Sequence, residues 1–338
     1  MTAVANRPST VGGRSRVGGG RVLAVGGWLL VALGVLGIAA HYLAIGWQPW
    51  IVLASGAPYL MLAGLAGWCV LVAGRRWRSV LAATLVVLVS VWTQVPLYVG
   101  AGAPAGRPFT MMTANLALGD GDPAAVVAAV RGNDVSVLTV QEEPLSEVQR
   151  LTAAGLGRVL PYHYVEVGIP YSSRAFGSGI WSRYPISGGR TLPEFSFAAV
   201  TAVVSFPAAD GRPASDVQVF AVHPPPPYPV PSARWIRELP ELRRELAAVP
   251  AGRPVLVGGD FNSTWDNAPF RRLLQGGYRD AIELSGSGVL RSYPVGHAVP
   301  PLVGIDHVLV RGIGARSVHR IPIAASDHRS LIAQLTLP

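Results

Sequence analysis

Apolar positions follow two different rhythms along this chain. In the first hundred residues they form three nearly unbroken stretches, Val22–Ala40, Ile51–Ala73 and Val80–Val99, the last with only Gln94 as a strongly polar side chain. Each is about long enough to cross a hydrocarbon core of ~30 Å as a helix, which takes ~20 residues. Trp28, Trp47, Trp50, Trp77 and Trp92 fall mostly near the ends of these stretches, where amphipathic rings favour a membrane interface. Three spanning helices are predicted, in a transmembrane region over 22–99. Downstream of a Gly/Ala/Pro linker (100–108) the rhythm shortens, and a folded domain is expected over 109–338. Strands are predicted at 109–116, 135–142, 179–186, 198–206, 217–223, 255–262, 304–312 and 330–337, with helices at 122–131, 144–154, 232–247 and 268–275. Many Val/Leu/Ile-rich strands with few helices point to layered sheets rather than a doubly wound parallel sheet.

Composition supports the membrane reading. The 338 residues are 50% hydrophobic and 14% charged, against roughly 25% charged in soluble domains, and the mean hydropathy is +0.37. The net charge of +9 comes from arginine alone, for there is no lysine, a bias that a G+C-rich genome explains. Residues 1–100 hold seven arginines and no acid, whereas 101–338 are close to balanced at +2. The basic excess therefore flanks apolar runs instead of covering the folded domain, which disfavours nucleic acid as a partner. Four arginines lie in 1–21, read as a disordered basic tail, and three in 74–79, but none in 41–50. The positive-inside rule puts the tail and the second loop in the cytoplasm, and three crossings then leave everything beyond residue 100 outside it. The lone Cys69 offers no internal disulfide to that domain.

Candidate chemistry sits where the apolar strands stop. Asn115, Gln141-Glu142, His223, Asp260 with Asn262, Asp306 and Asp327-His328 each follow or open such a strand. Strands lie side by side in a sheet, so residues at corresponding ends gather at one rim. Acids, amides and histidines gathered there suit a hard divalent cation, Mg²⁺ or Mn²⁺, and activation of water against a phosphate. Singly, each residue has a plainer reading as a turn, a helix start or a surface pair.

In this order, the segments TANL, VQEE, GIWSRYPI, AVH, GGDFNS, GIDHVLV and SDHRSL resemble the successive motifs of the endonuclease/exonuclease/phosphatase (DNase I-like) superfamily. The resemblance implies a four-layer α/β sandwich, two packed mixed sheets flanked by helices, with the active site at one end. It implies Glu142 as the principal metal-binding carboxylate, with Asn115 and Asp327 on the metal side. Asp260 would align and deprotonate water, while Asn262 and His223, with Asn115, would contact the phosphate. His328, oriented by Asp306, would stabilise the transition state. Arg183 would either touch substrate or form a structural salt bridge. His307 stands where the family often has an aromatic residue, and would either donate to phosphate or fill the same space. Gly177–Gly179 would either admit a ligand close to the backbone or form a turn. The Pro-rich 223–231 segment, with Tyr228 and with Trp235 just beyond, reads either as an apolar lip beside the site or as a stiff surface loop.

Three apolar stretches ahead of such a domain resemble the membrane-bound branch that includes VanJ-type teicoplanin-resistance proteins. That resemblance implies a multi-pass cell-membrane hydrolase acting outside the cytoplasm on a lipid-linked phosphate, undecaprenyl diphosphate or a related envelope lipid, in a role like glycopeptide resistance. A surface nuclease or phospholipid phosphodiesterase, and a non-catalytic binding module for envelope lipids or glycopeptides, are the alternatives. Oligomeric state is not legible.

Overall fold

The computed structural model describes residues 15–102, 105–167, 176–209 and 211–338. Most of the predicted tail therefore lies outside the described residues, and the helix that follows starts earlier than expected, at Ser15. The chain divides into two compact units, one of Met1–Ala39 with Gly56–Thr93, the other of Ala40–Ser55 with Gln94–Pro338.

The first unit is helical: most of α1 (Ser15–Tyr42), then α3 (Ala57–Ala73) and nearly all of α4 (Trp77–Gln94), with α2 (Gln48–Ser55) falling in the second unit. Small residues let α1 and α3 pack backbone to backbone. A Cβ on Gly34 would sit 2.8 Å from the Cα of Gly64, and one on Gly67 would sit 2.5 Å from the carbonyl of Gly27, the close approach that joins helices in lipid. Gly20–Tyr42 and Trp77–Leu97 are long and apolar enough to cross a membrane. The middle stretch departs from expectation. It is not one continuous helix, for α2 and α3 meet at 63°, and Gly56 between them precedes a helix that opens with Ala57-Pro58. Proline is at home in a first helical turn and ill-suited to the interior of a longer helix.

The second unit carries two six-stranded sheets. The first contains β1 (Arg107–Asn115), β2 (Val135–Gln141), β3 (Tyr162–Glu166), β4 (Ser178–Ser182), β11 (Gly314–Pro322) and β12 (Arg329–Leu337), in the order β11-β12-β1-β2-β4-β3. The second contains β5 (Ile186–Thr191), β6 (Val200–Phe206), β7 (Ser215–Val222), β8 (Val255–Asp260), β9 (Arg279–Asp280) and β10 (Asp306–Arg311), in the order β5-β6-β7-β8-β10-β9. Alternation along the strands builds three apolar layers. Met111, Val219 and Leu256 pack between the sheets. Met112 and Ala114 face the other way, under Val126, Val127 and Val130 of α5 (Pro123–Gly132) and Leu151 of α6 (Leu145–Ala153). Phe220, Val255 and Val257 pack beneath Trp235, Leu239, Leu242 and Leu246 of α7 (Ala233–Ala248). The result is the expected sandwich of two mixed sheets flanked by helices. Two short helices, α8 (Ala268–Arg271) and α9 (Ala281–Ser285), complete it. The linker is partly tied down, since the amide of Ala101 donates to the carbonyl of Leu284 at 2.9 Å.

Candidate active site

Strand register alone brings most of the predicted residues to one rim. In the first sheet β1 and β2 run parallel with Asn115 beside Gln141, so Asn115 and Glu142 leave at the same end. The antiparallel β12 starts there, with Leu331 opposite Thr113, which delivers His328. In the second sheet β7 and β8 run parallel, Val222 beside Gly259, and antiparallel β10 sets Asp306 opposite Asp260. His223, Asp260 and Asp306 thus share an end as well. The glycines of the GGD motif are strand residues with a steric purpose. A Cβ on Gly258 would lie 2.2 Å from Met111 Cε and 2.4 Å from Thr139 Oγ1, and one on Gly259 would lie 2.0 Å from the carbonyl oxygen of Val222. Their absence lets the sheets, and β7 with β8, approach closely where the site forms.

Hydrogen bonds then join the sheets. Asn115 Nδ2 donates to Asp260 Oδ2 at 3.1 Å and to Glu142 Oε1 at 3.2 Å, while its Oδ1 accepts from the Ala117 amide. His328 Nδ1 bonds Asp306 Oδ2 at 2.8 Å, with Nε2 3.6 Å from Asp260 Oδ2. His223 Nε2 lies 3.5 Å from Asp260 Oδ2 and 3.8 Å from Glu142 Oε1. Glu142 adopts a left-handed φ of 58°, and its Oε2 accepts from the Leu118 amide. Asn262, also left-handed, donates to the Pro224 carbonyl at 2.9 Å, and its amide caps Asp260 Oδ1 at 2.8 Å. Asp327 is half-buried in the turn before β12, close enough for its charge to raise the pKa of Glu142.

Burial sets the protonation states. It raises the Glu142 carboxyl, against the hydrogen bond from Asn115 and the charge of His328. It pushes Asp260 up to about 6, opposed mainly by His328, and lowers His223. At His328 burial acts to lower the pKa, but the Asp306 and Asp260 carboxylates outweigh it and hold the ring at about 10. A protonated ring, a buried neutral ring and several carboxylates therefore share one rim. Asp260, Asp306 and His328 can bring one ligand atom each within 4.8 Å of one another. Two of these residues, Asp306 and His328, are already hydrogen-bonded to each other. The carboxylate oxygens of Glu142 and Asp327 suit a hard divalent cation better, while Asn115 turns its Nδ2 to the carboxylates and its Oδ1 to the Ala117 amide.

Three expectations resolve differently. Arg183 does not reach the site, since Nη2 bonds Asp134 Oδ1 at 2.6 Å and the Val135 carbonyl at 3.1 Å, at the opposite end of β2 from Glu142. Its role is the salt bridge. His307 faces away from Asp306, held between Asp280 Oδ2 at 2.7 Å and the Ser263 carbonyl at 2.9 Å against Phe270. Gly179 makes room for the Glu143 carboxyl, which would lie 2.2 Å from a Cβ, and not for a ligand. The Pro-rich loop is anchored through Pro224 to Asn262, and Gln48 Nε2 donates to the carbonyls of Pro227 and Val230, both at 2.7 Å.

Two contributors escaped the sequence reading. Tyr293 lays its ring 4.8 Å from that of His328, and its hydroxyl pKa rises through burial and the charges of Asp327, Asp260 and Glu142. Ser326 donates to the Asn115 carbonyl at 2.8 Å and accepts from the His328 amide, locking β1 to the SDH turn. Ser326 stands inside that motif and could have been flagged. Tyr293 lies in a loop with no pattern of its own.

Comparison with known proteins agrees with this geometry. The Escherichia coli K12 protein YbhP is 29% identical over 109 residues, covering 31% of this chain, and the chain spans only 38% of YbhP. Among solved structures, an endonuclease/exonuclease/phosphatase from Bacteroides vulgatus superposes with a TM-score of 0.53 at 15% identity, covering 68% of this chain and 99% of that one. Danio rerio TDP2, complexed with a single-strand DNA product, gives a TM-score of 0.52 at 14% identity, with coverage of 68% and 99%. These likenesses show the fold. Residues 112–328, well over half of the sequence, match the Endonuclease/Exonuclease/phosphatase family, and the chain belongs to that family.

Proposed function

We propose that this chain is a membrane-anchored hydrolase of phosphoester or phosphoanhydride bonds, acting outside the cytoplasm on a lipid-linked phosphate, with undecaprenyl diphosphate or a related envelope lipid as the first candidate. The observation that carries the chemistry is the Asp306–His328 pair beside Asp260, Asn115 and Glu142. Glu142 and Asp327 would hold Mg²⁺ or Mn²⁺, with Asn115 fixing Glu142 and Asp260 beside it. A divalent cation bound there would offset phosphate charge and polarise the bond to be broken. Asp260, with a pKa near neutrality, accepts the proton of an attacking water and aligns it through the Oδ2 that Asn115 fixes. His328, charged and oriented by Asp306, donates from Nε2 to a non-bridging oxygen as negative charge develops. Asn262 and His223 complete the phosphate contacts, and Tyr293 walls the imidazolium from water.

Chain parity supports the location. Ala40–Ser55 and Gln94–Pro338 belong to one compact unit, with His41 Nδ1 2.7 Å from Asp266 Oδ1 and Asn267 Nδ2 donating to the Ile51 carbonyl at 3.2 Å. That shared unit favours an even number of crossings between the two segments, α3 spanning together with α4. At 17 residues α3 is within the range of spanning helices. The arginine-free 41–50 loop favours the exterior as the side the two segments share.

The test uses the full chain in lipid nanodiscs, offered undecaprenyl diphosphate, sphingomyelin or plasmid DNA with and without chelator. Metal-dependent release of phosphate from the diphosphate is expected, with Asp260→Asn and His328→Ala each lowering kcat by ~10²–10⁴. Turnover of DNA or sphingomyelin alone would move the assignment to a nuclease or phospholipid phosphodiesterase, a use to which the near-neutral region 101–338 brings no basic stripe. No turnover in any arm would leave the binding-module alternative.

A further inference from the structure

The second unit holds an apolar cavity of about 160 Å³ that the catalytic residues do not use. On one side are Leu43, Ile45, Trp50 and Ala54, and on the other Trp235 and Ile236 of α7. Its size matches the ~150 Å³ apolar cavity known to admit benzene, room for a branched segment of hydrocarbon chain. We infer that this cavity binds the apolar tail of the substrate amphiphile at the point where the tail leaves the phosphate, an inference that rests on the lipid-phosphate reading above.

Three observations select that occupant. The wall begins at Leu43, the residue after the helix Gly20–Tyr42 that is apolar and long enough to span a membrane. Chains of lipid are the apolar groups at hand where such a helix ends. Leu43 and Ile45 are about half exposed, at 51% and 43%, an open apolar mouth that water gains nothing by filling. The inner wall is also bonded to the chain just beyond Asp260. Trp235, 1% exposed, donates from Nε1 both to the Asn262 carbonyl at 3.1 Å and to Ser263 Oγ at 3.0 Å. The indole that lines the cavity thus bonds the backbone of a residue proposed to contact the phosphate. Gln48, on the same helix as Trp50, ties the cavity to the Pro-rich loop whose Pro224 carbonyl holds Asn262. Head and tail sites are thus braced together.

The experiment reads occupancy apart from catalysis. The full chain in phosphatidylcholine nanodiscs is irradiated with dodecyl phosphate bearing a diazirine in its chain, and labelled peptides are mapped. Labelling within 43–54 and 235–240 is expected, competed by undecaprenyl phosphate and reduced at least tenfold in Ile236→Trp, which fills the space. In parallel, kcat/KM for a long-chain diphosphate relative to a short-chain one should fall about tenfold or more in that variant. Labelling confined to 15–42 or 57–94, or equal labelling by diazirine dodecane without the phosphate, overturns the inference. Hydrolysis of lipid diphosphate without labelling of the cavity sinks the tail site and spares the proposed function. Cavity labelling without hydrolysis does the reverse.

Discussion

Glu142 and Glu143 are neighbours in the motif VQEE and indistinguishable by type, yet one peptide bond separates a site carboxylate from a structural one. The left-handed φ of 58° at Glu142 turns its side chain to the rim. Glu143 goes inward, fully buried, where Oε1 accepts from Trp181 Nε1 at 3.0 Å and Oε2 has no hydrogen-bond partner among the described residues. Burial raises its pKa to about 8, more than the Trp181 bond lowers it. Below the unfolded value near 4.5 both states carry the proton. Between 4.5 and 8 the unfolded chain releases it first, so this group's stabilisation is lost as pH rises through that window. Thermal unfolding should therefore show a Tm that falls from pH 5 to pH 8. Glu143→Gln should flatten the fall and exceed wild type at pH 8 by about 2–4 °C or more, the shift about 1 kcal/mol produces in a domain of this size. A wild-type Tm that rises over that range would contradict the assignment.

Elements were legible where they are buried on both faces or strongly patterned. The central strands β1, β2, β7, β8 and β10 are apolar runs ending in polar residues, and the sequence predicts each within a few residues. The edge strands β3 and β5 and the edge strand β11 were not predicted. Their outward positions carry Arg190, Arg316, His319 and Arg320, and an edge is satisfied with one neighbour, so little hydrophobic pattern is required. The close pairing of β7 and β8 was equally hidden, because a strand predicted over 255–262 does not reveal that Gly259 faces the Val222 carbonyl. Gly259→Ala should force the Val222 carbonyl away, lowering Tm by several degrees through ~1–3 kcal/mol of overpacking, and should lower turnover by displacing His223 and Asp260 together. Gly132→Ala, with nothing within 4 Å, is the control and should leave Tm unchanged or slightly raised. Equal losses in both variants would show that the strand contact is not the cause.

For the whole molecule, the question is which side of the membrane the site occupies. The proposed function puts it outside: residues 40–55 pack in one unit with 94–338, which favours a shared side, and the arginine distribution favours the exterior as that side. A phosphatase reporter fused after Pro338 should be active only when exported, and a fluorescent reporter that needs the cytoplasm should be dark there. The opposite pattern would return the domain to the cytoplasm and remove the envelope lipid as substrate. The sequence by itself determined the apolar stretches, the central strands and the motif residues, because burial leaves a one-dimensional record in every strand that has two covered faces. Only the tertiary structure decided which of those residues meet. It sent Arg183 to Asp134, turned His307 toward Asp280, spent Gly179 on Glu143 and broke the middle apolar stretch at Gly56. Such choices depend on which neighbour the fold supplies across the sheet, and a linear pattern holds no term for a partner a hundred residues away.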